Sequence, residues 1–145
     1  MSITRWSLVR FAHVLAAMGW VGGQLLFSSV VLPVLRDALG PRERTPLIRL
    51  AAMRFATIAN LVLLPTLVVT GVALAWHRGV RFDTLTEPGY GRLLAIKLVL
   101  VVLSIALAAV HGVLATRKPR SARPLGVASL GTSITIVIFA TALVP

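Results

Sequence analysis

The sequence has no cysteine in its 145 residues. That absence excludes a disulfide framework, a zinc knuckle, an iron–sulfur site and a thiol nucleophile. Acidic residues are nearly missing too. Asp37, Glu43, Asp83 and Glu87 are the four in the chain, and all lie between apolar runs. A proton relay built on paired carboxylates at membrane depth is therefore excluded. Charged residues make up 13% of the chain, against roughly 25% in soluble domains. There is no Walker loop, no GxSxG and no HExxH. Phosphate cradling and hydrolysis thus have no visible machinery.

What is abundant is apolar surface. Hydrophobic residues make up 57% of the chain and the mean hydropathy is +0.91. Crossing about 30 Å of hydrocarbon takes roughly 20 apolar residues in a helix. Four runs qualify: Phe11–Leu35, Phe55–Trp76, Leu98–Thr116 and Pro124–Pro145, none carrying a formal charge. The first run is much longer than the roughly 7–15 residue core of a signal peptide, and no A-x-A-like site follows it, so it reads as a retained helix. Gly40-Pro41, Pro46, Gly79, Pro88-Gly89 and Pro119 punctuate the joins. The expectation is an all-α integral membrane protein, one four-helix up-down transmembrane bundle with helices at about 7–35, 54–77, 91–116 and 124–145.

Fifteen Lys and Arg give a net charge of +11. They sit between apolar runs, where positive charge sets topology and meets anionic headgroups. No basic patch interleaves with stacking aromatics, so the partners expected are membrane lipids and not nucleic acid. The first and third connections hold nine Lys and Arg, and the N-terminus and second connection hold six. By the positive-inside rule both termini lie outside the cytoplasm, in a multi-pass protein of the cell membrane.

Ionisable groups within a span are costly and face the protein interior, which makes each a candidate for function. With a period of 3.6, His13 shares a face with Ala17, Trp20, Gln24 and Phe27. Lys97, Ser104 and His111 form a second stripe at i, i+7 and i+14. His13 and Lys97 each lie about 9 Å into their helices at 1.5 Å per residue. In an up-down bundle those two helices run parallel, so both groups come to one depth, with His77 on that side and His111 and Asn60 nearer the other. The candidate cofactor-binding residues are therefore His13, Trp20, Lys97 and His111, with His13 as the metal ligand. The pairs Gly19/Gly23, Ala12/Ala16 and Ala108/Gly112 are the small-residue spacing that lets helix backbones approach.

These residues carry a resemblance. The run RFAHVLAAMGWVGGQLLF (Arg10–Phe27) resembles the opening helix of the copper resistance D (CopD) family. RFATIANLVLLPTLVVTGVALAW (Arg54–Trp76), including Thr70-Gly71, resembles that family's second helix. YGRLLAIKLVLVVLSIALAAVHG (Tyr90–Gly112) is similar to its next helix. The resemblance implies copper transport or homeostasis at the inner membrane. The His-then-Lys layout also resembles the HemJ-type protoporphyrinogen oxidases, which implies haem b held by His13 and Lys97. The expected cargo or cofactor is thus a redox metal, copper ion or haem b. A third alternative is a small subunit that packs against a second copy or against partner membrane subunits.

Overall fold

The computed structural model describes residues 4–81, 88–117 and 119–142. Among these, the chain is helical without strands, in four helices: α1 (Arg5–Ala38), α2 (Pro41–His77), α3 (Tyr90–Arg117) and α4 (Pro119–Ala142). Three of them hold segments long and apolar enough to cross a membrane: Arg5–Ala38, Pro41–His77 and Gly91–Gly112. The apolar part of α4, Pro124–Ala140, is shorter. Asp83, Glu87, Lys118 and the end of the expected fourth span lie outside the described residues. The chain divides into two compact units, Met1–Gly79 and Val80–Pro145, and each is described by itself.

In the first unit α1 packs along α2. Thr4 caps α1: its side chain accepts from the Ser7 backbone N–H, and the Ser7 side chain answers the Thr4 backbone. That reciprocal pair satisfies donors a helix start leaves open. The turn to α2 is short. Leu39 is extended (φ −131°, ψ 145°) and Gly40 precedes Pro41, whose fixed φ and missing N–H suit a first helical position. Here the structure departs from the expected boundary: α2 begins at Pro41 rather than near 54. Hydropathy marks the slab of lipid, whereas Arg, Glu and Leu in 41–54 are good helix formers whatever the solvent. At 1.5 Å per residue α2 is about 55 Å long, well beyond about 30 Å of hydrocarbon. Its arginine-bearing first turns therefore reach past the apolar core.

Both helices widen once. Phe27–Val31 in α1 and Ala59–Leu63 in α2 are π turns, closed by Leu32 N–H to Phe27 O and Leu64 N–H to Ala59 O. A proline stands two residues past each, Pro33 and Pro65. A proline ring lacks the N–H and crowds the carbonyl four residues back, and a wider turn relieves that crowding. In α1, Ser28 Oγ donates to Gln24 O and Ser29 Oγ to Leu25 O, each at 2.6 Å, which keeps carbonyls beside the defect bonded. At the far end, Gly79 takes φ +73° and ends α2. Pro65 thus stands just past a π turn.

The packing is inverted relative to a soluble domain. Among the described residues the buried ones are small: Ala16 and Ala59 in the first unit, Ser104, Ser129 and Ser133 in the second. Phe11, Leu61, Val69 and Val102 are exposed. Lipid is as apolar as leucine, so helices associate through close backbone approach and hydrogen bonds rather than by hiding large side chains. Gly19 and Gly23 illustrate this. A Cβ at Gly19 would meet Leu63 Cδ2 at 3.1 Å, and one at Gly23 would run into the edge of the Phe55 ring. In the second unit α3 packs along α4.

Candidate functional site

The stripe through His13 is legible in the exposure pattern. His13, Ala17, Trp20, Gln24 and Phe27 are all half-buried, whereas Val14, Leu15 and Met18 on other faces are exposed. His13 turns toward α2. Its Nδ1 stands 2.8 Å from Thr70 Oγ1. Thr70 in turn donates to the carbonyl of Thr66, one turn back. The imidazole lies over Gly71, where a Cβ would meet Cε1 at 3.3 Å. A glycine there lets the ring rest against the α2 backbone. His13, Thr70, Thr66 and Gly71 thus make one polar cluster inside two membrane-spanning helices. Thr70 and Thr66 were not singled out as site residues above. Their signal in the sequence is two hydroxyls at i and i+4, on one face of an apolar run.

The other expected residues fall as follows. Trp20 is two turns along α1 from His13, on the same half-buried face. His77 ends α2 and stacks on Trp6, with ring centroids 3.8 Å apart and an interplanar angle of 10°. Neighbouring Trp76 is exposed, as suits an aromatic ring at a membrane interface. Asn60 is exposed on α2, within the π turn.

In the second unit, Ser104 and His111 of the second stripe face α4. Ser104 Oγ and Ser133 Oγ bond at 2.9 Å, and Ser129 Oγ reaches the Ser104 carbonyl at 3.5 Å. All three serines are buried. His111 lies over Gly126: a Cβ there would meet its Cε1 at 2.9 Å and its Nδ1 at 3.1 Å. Lys97, on the same stripe, is half-buried. This arrangement ties α3 to α4 by hydrogen bonds and by a ring set on a glycine.

As a donor set for a metal, the described residues supply single imidazoles on three different helices, His13 on α1, His77 on α2 and His111 on α3. No group of three or more His, Cys, Asp or Glu comes together among them. The thioether side chains of Met18 and Met53 are exposed. The His13 ring carries a hydroxyl partner within a span, the arrangement in which an outer partner orients a ligand.

Comparison with known proteins gives one family. The family model described as copper resistance protein D matches residues 49–144, roughly two thirds of the chain. The match takes in Thr66, Thr70, Lys97 and His111, and begins after α1 with His13 and Trp20. No curated protein and no solved structure matches the chain.

Proposed function

The chain belongs to the copper resistance protein D family, and from that premise we propose that it binds copper ion as its cargo within the membrane, with His13 as a donor. The observation that carries the reading is the placement of His13. It is half-buried in a membrane-spanning helix, bonded to Thr70 and set against Gly71. Imidazole nitrogen is a good copper ligand. A polar ring in that position costs free energy unless it has partners, about 1–3 kcal/mol on mutational scales. Trp20 belongs to the same proposal as the next half-buried ring on the His13 face. Lys97 belongs to it as an amine nitrogen within an apolar span, a donor only when deprotonated, and His111 as a second imidazole within the family match.

The test is copper bound per protein after purification in detergent with Cu(I) and a reductant. His13→Ala should lower it, and His77→Ala, which removes only a ring stacked at the end of α2, should leave it unchanged. A wild-type protein that retains no copper above a membrane-protein control would overturn the reading. So would a His13→Ala protein that retains all of it. A Soret band in the same preparation would replace copper by haem iron.

A further inference from the structure

We propose that a hollow on α2, where the helix passes from water into lipid, binds one anionic phospholipid, its phosphate held by Arg49 and Arg54 and the start of an acyl chain laid in the hollow. The hollow has a volume of about 340 Å³ and is lined by Leu50, Met53, Arg54, Thr57 and Ile58. These positions, at i, i+3, i+4, i+7 and i+8, share one face of a helix. Leu50, Met53 and Ile58 are 51%, 57% and 53% exposed, so the apolar lining stands open. Thr57 donates its hydroxyl hydrogen to the Met53 carbonyl at 3.0 Å, which uses its one donor. The polar donor left in the lining is the Arg54 guanidinium.

Depth and charge decide the occupant. Arg54 is the last charged residue before the uncharged run Phe55–Trp76, so it marks the edge of the hydrocarbon. Arg49 lies about 7.5 Å further out along the axis at 1.5 Å per residue. The polar layer on one side of a bilayer is about 5–7 Å deep. The two arginines therefore bracket the phosphate level, and Ile58, about 6 Å further in than Arg54, lies at the level of acyl chains. Met53 follows Arg49 by four residues, which puts Arg49 at the outer end of the same face. Both arginines are exposed, and among the described residues neither has a hydrogen bond or an ion pair. Arg44, by contrast, is committed to the turn, where its Nη1 donates to the Arg36 carbonyl at 3.3 Å. A guanidinium presents paired N–H donors that match phosphate oxygens. A second copy seated here would set arginine against arginine, since 36–54 holds five arginines against Asp37 and Glu43. A zwitterionic lipid brings its own cation beside the phosphate, and an anionic one leaves that place to the arginines. The site is independent of the copper reading.

The experiment is native mass spectrometry of the full chain in detergent, with dioleoyl phosphatidylglycerol and dioleoyl phosphatidylcholine offered in equal amounts. The wild type should retain one phosphatidylglycerol per protein in preference to phosphatidylcholine. Arg49→Gln and Arg54→Gln should each weaken that retention about 5-fold, and the pair about 30-fold, at the usual worth of an arginine near an anionic surface. Arg5→Gln combined with Arg10→Gln removes the same charge from the start of α1 and should leave retention unchanged. Met53→Trp fills the hollow without a change of charge and should weaken retention as well. A wild type that holds the two lipids equally would overturn the proposal, whether or not any variant folds. An equal loss from the α1 pair would reduce the effect to net charge and overturn it. Retention unmoved by Met53→Trp would show a headgroup with no chain seated in the hollow, which also overturns it. A dimer in the wild-type spectrum that Met53→Trp breaks would give the hollow to a second copy instead.

Discussion

Gly23→Ala is a small change whose sign depends on one neighbour. In a helix interior, alanine is favoured over glycine by up to about 1 kcal/mol. Against that stands the Phe55 ring of α2, whose edge occupies the place a Cβ would take. Overpacking a filled contact costs about 1–3 kcal/mol. Phe55 is half-buried and can swing partly outward, which places the cost toward the lower end. The net expectation is a destabilisation of about 0–2 kcal/mol. In a Phe55→Ala background the crowding is gone, and the same Gly23→Ala change should become stabilising, by up to about 1 kcal/mol. The coupling between the two sites is then about 1–3 kcal/mol. Gly19→Ala is the internal control: its Cβ would meet the tip of Leu63 at 3.1 Å, a flexible end that yields by a few tenths of an ångström. Unfolding by titrating dodecyl sulfate into maltoside micelles, followed by far-UV circular dichroism, measures all five proteins, the four corners of the cycle and Gly19→Ala. Independent sites add within about 0.3–0.5 kcal/mol. Additivity within that margin would show that Gly23 does not pack on Phe55, and the reasoning fails.

Two further outcomes follow from the same packing and charge pattern. Ser104→Ala and Ser133→Ala should each destabilise the second unit, and a double-mutant cycle should give a coupling of about 0.6 kcal/mol, the usual size for a hydrogen bond between membrane helices; zero coupling would mean that the 2.9 Å contact is not a bond that matters. A reporter active only outside the cytoplasm should work when fused after Pro145 and fail when inserted in 117–123, following the nine-to-six division of Lys and Arg; the reverse pattern would invert the orientation.

Much of the helical layout is legible in the sequence because the bilayer imposes a length. Runs such as Phe55–Trp76 have few readings other than a span. The stripe through His13 and the glycines at 19 and 23 are legible because a helix has one period and lipid rewards small residues at an interface. The early start of α2 is not, because hydropathy is silent about a helix that continues into water. Nor are the π turns. A proline signals a strained ladder but not whether the chain kinks or widens in response.

Thr70 was hidden for a different reason. A threonine in an apolar helix ordinarily bonds its own backbone one turn back, and Thr70 does so. Its second role appears only once the register of α1 against α2 is known. That register is set by bulk, not by polarity: glycine at 19 and 23 admits Leu63 and Phe55, and glycine at 71 admits the imidazole. The second unit repeats the device with His111 on Gly126. Where large apolar side chains gain nothing from contact with one another, a missing Cβ decides both how closely two helices lie and where a polar ring can rest. The glycines therefore place the imidazoles, and a substitution at Gly71 should displace the His13 ring before it unfolds the hairpin.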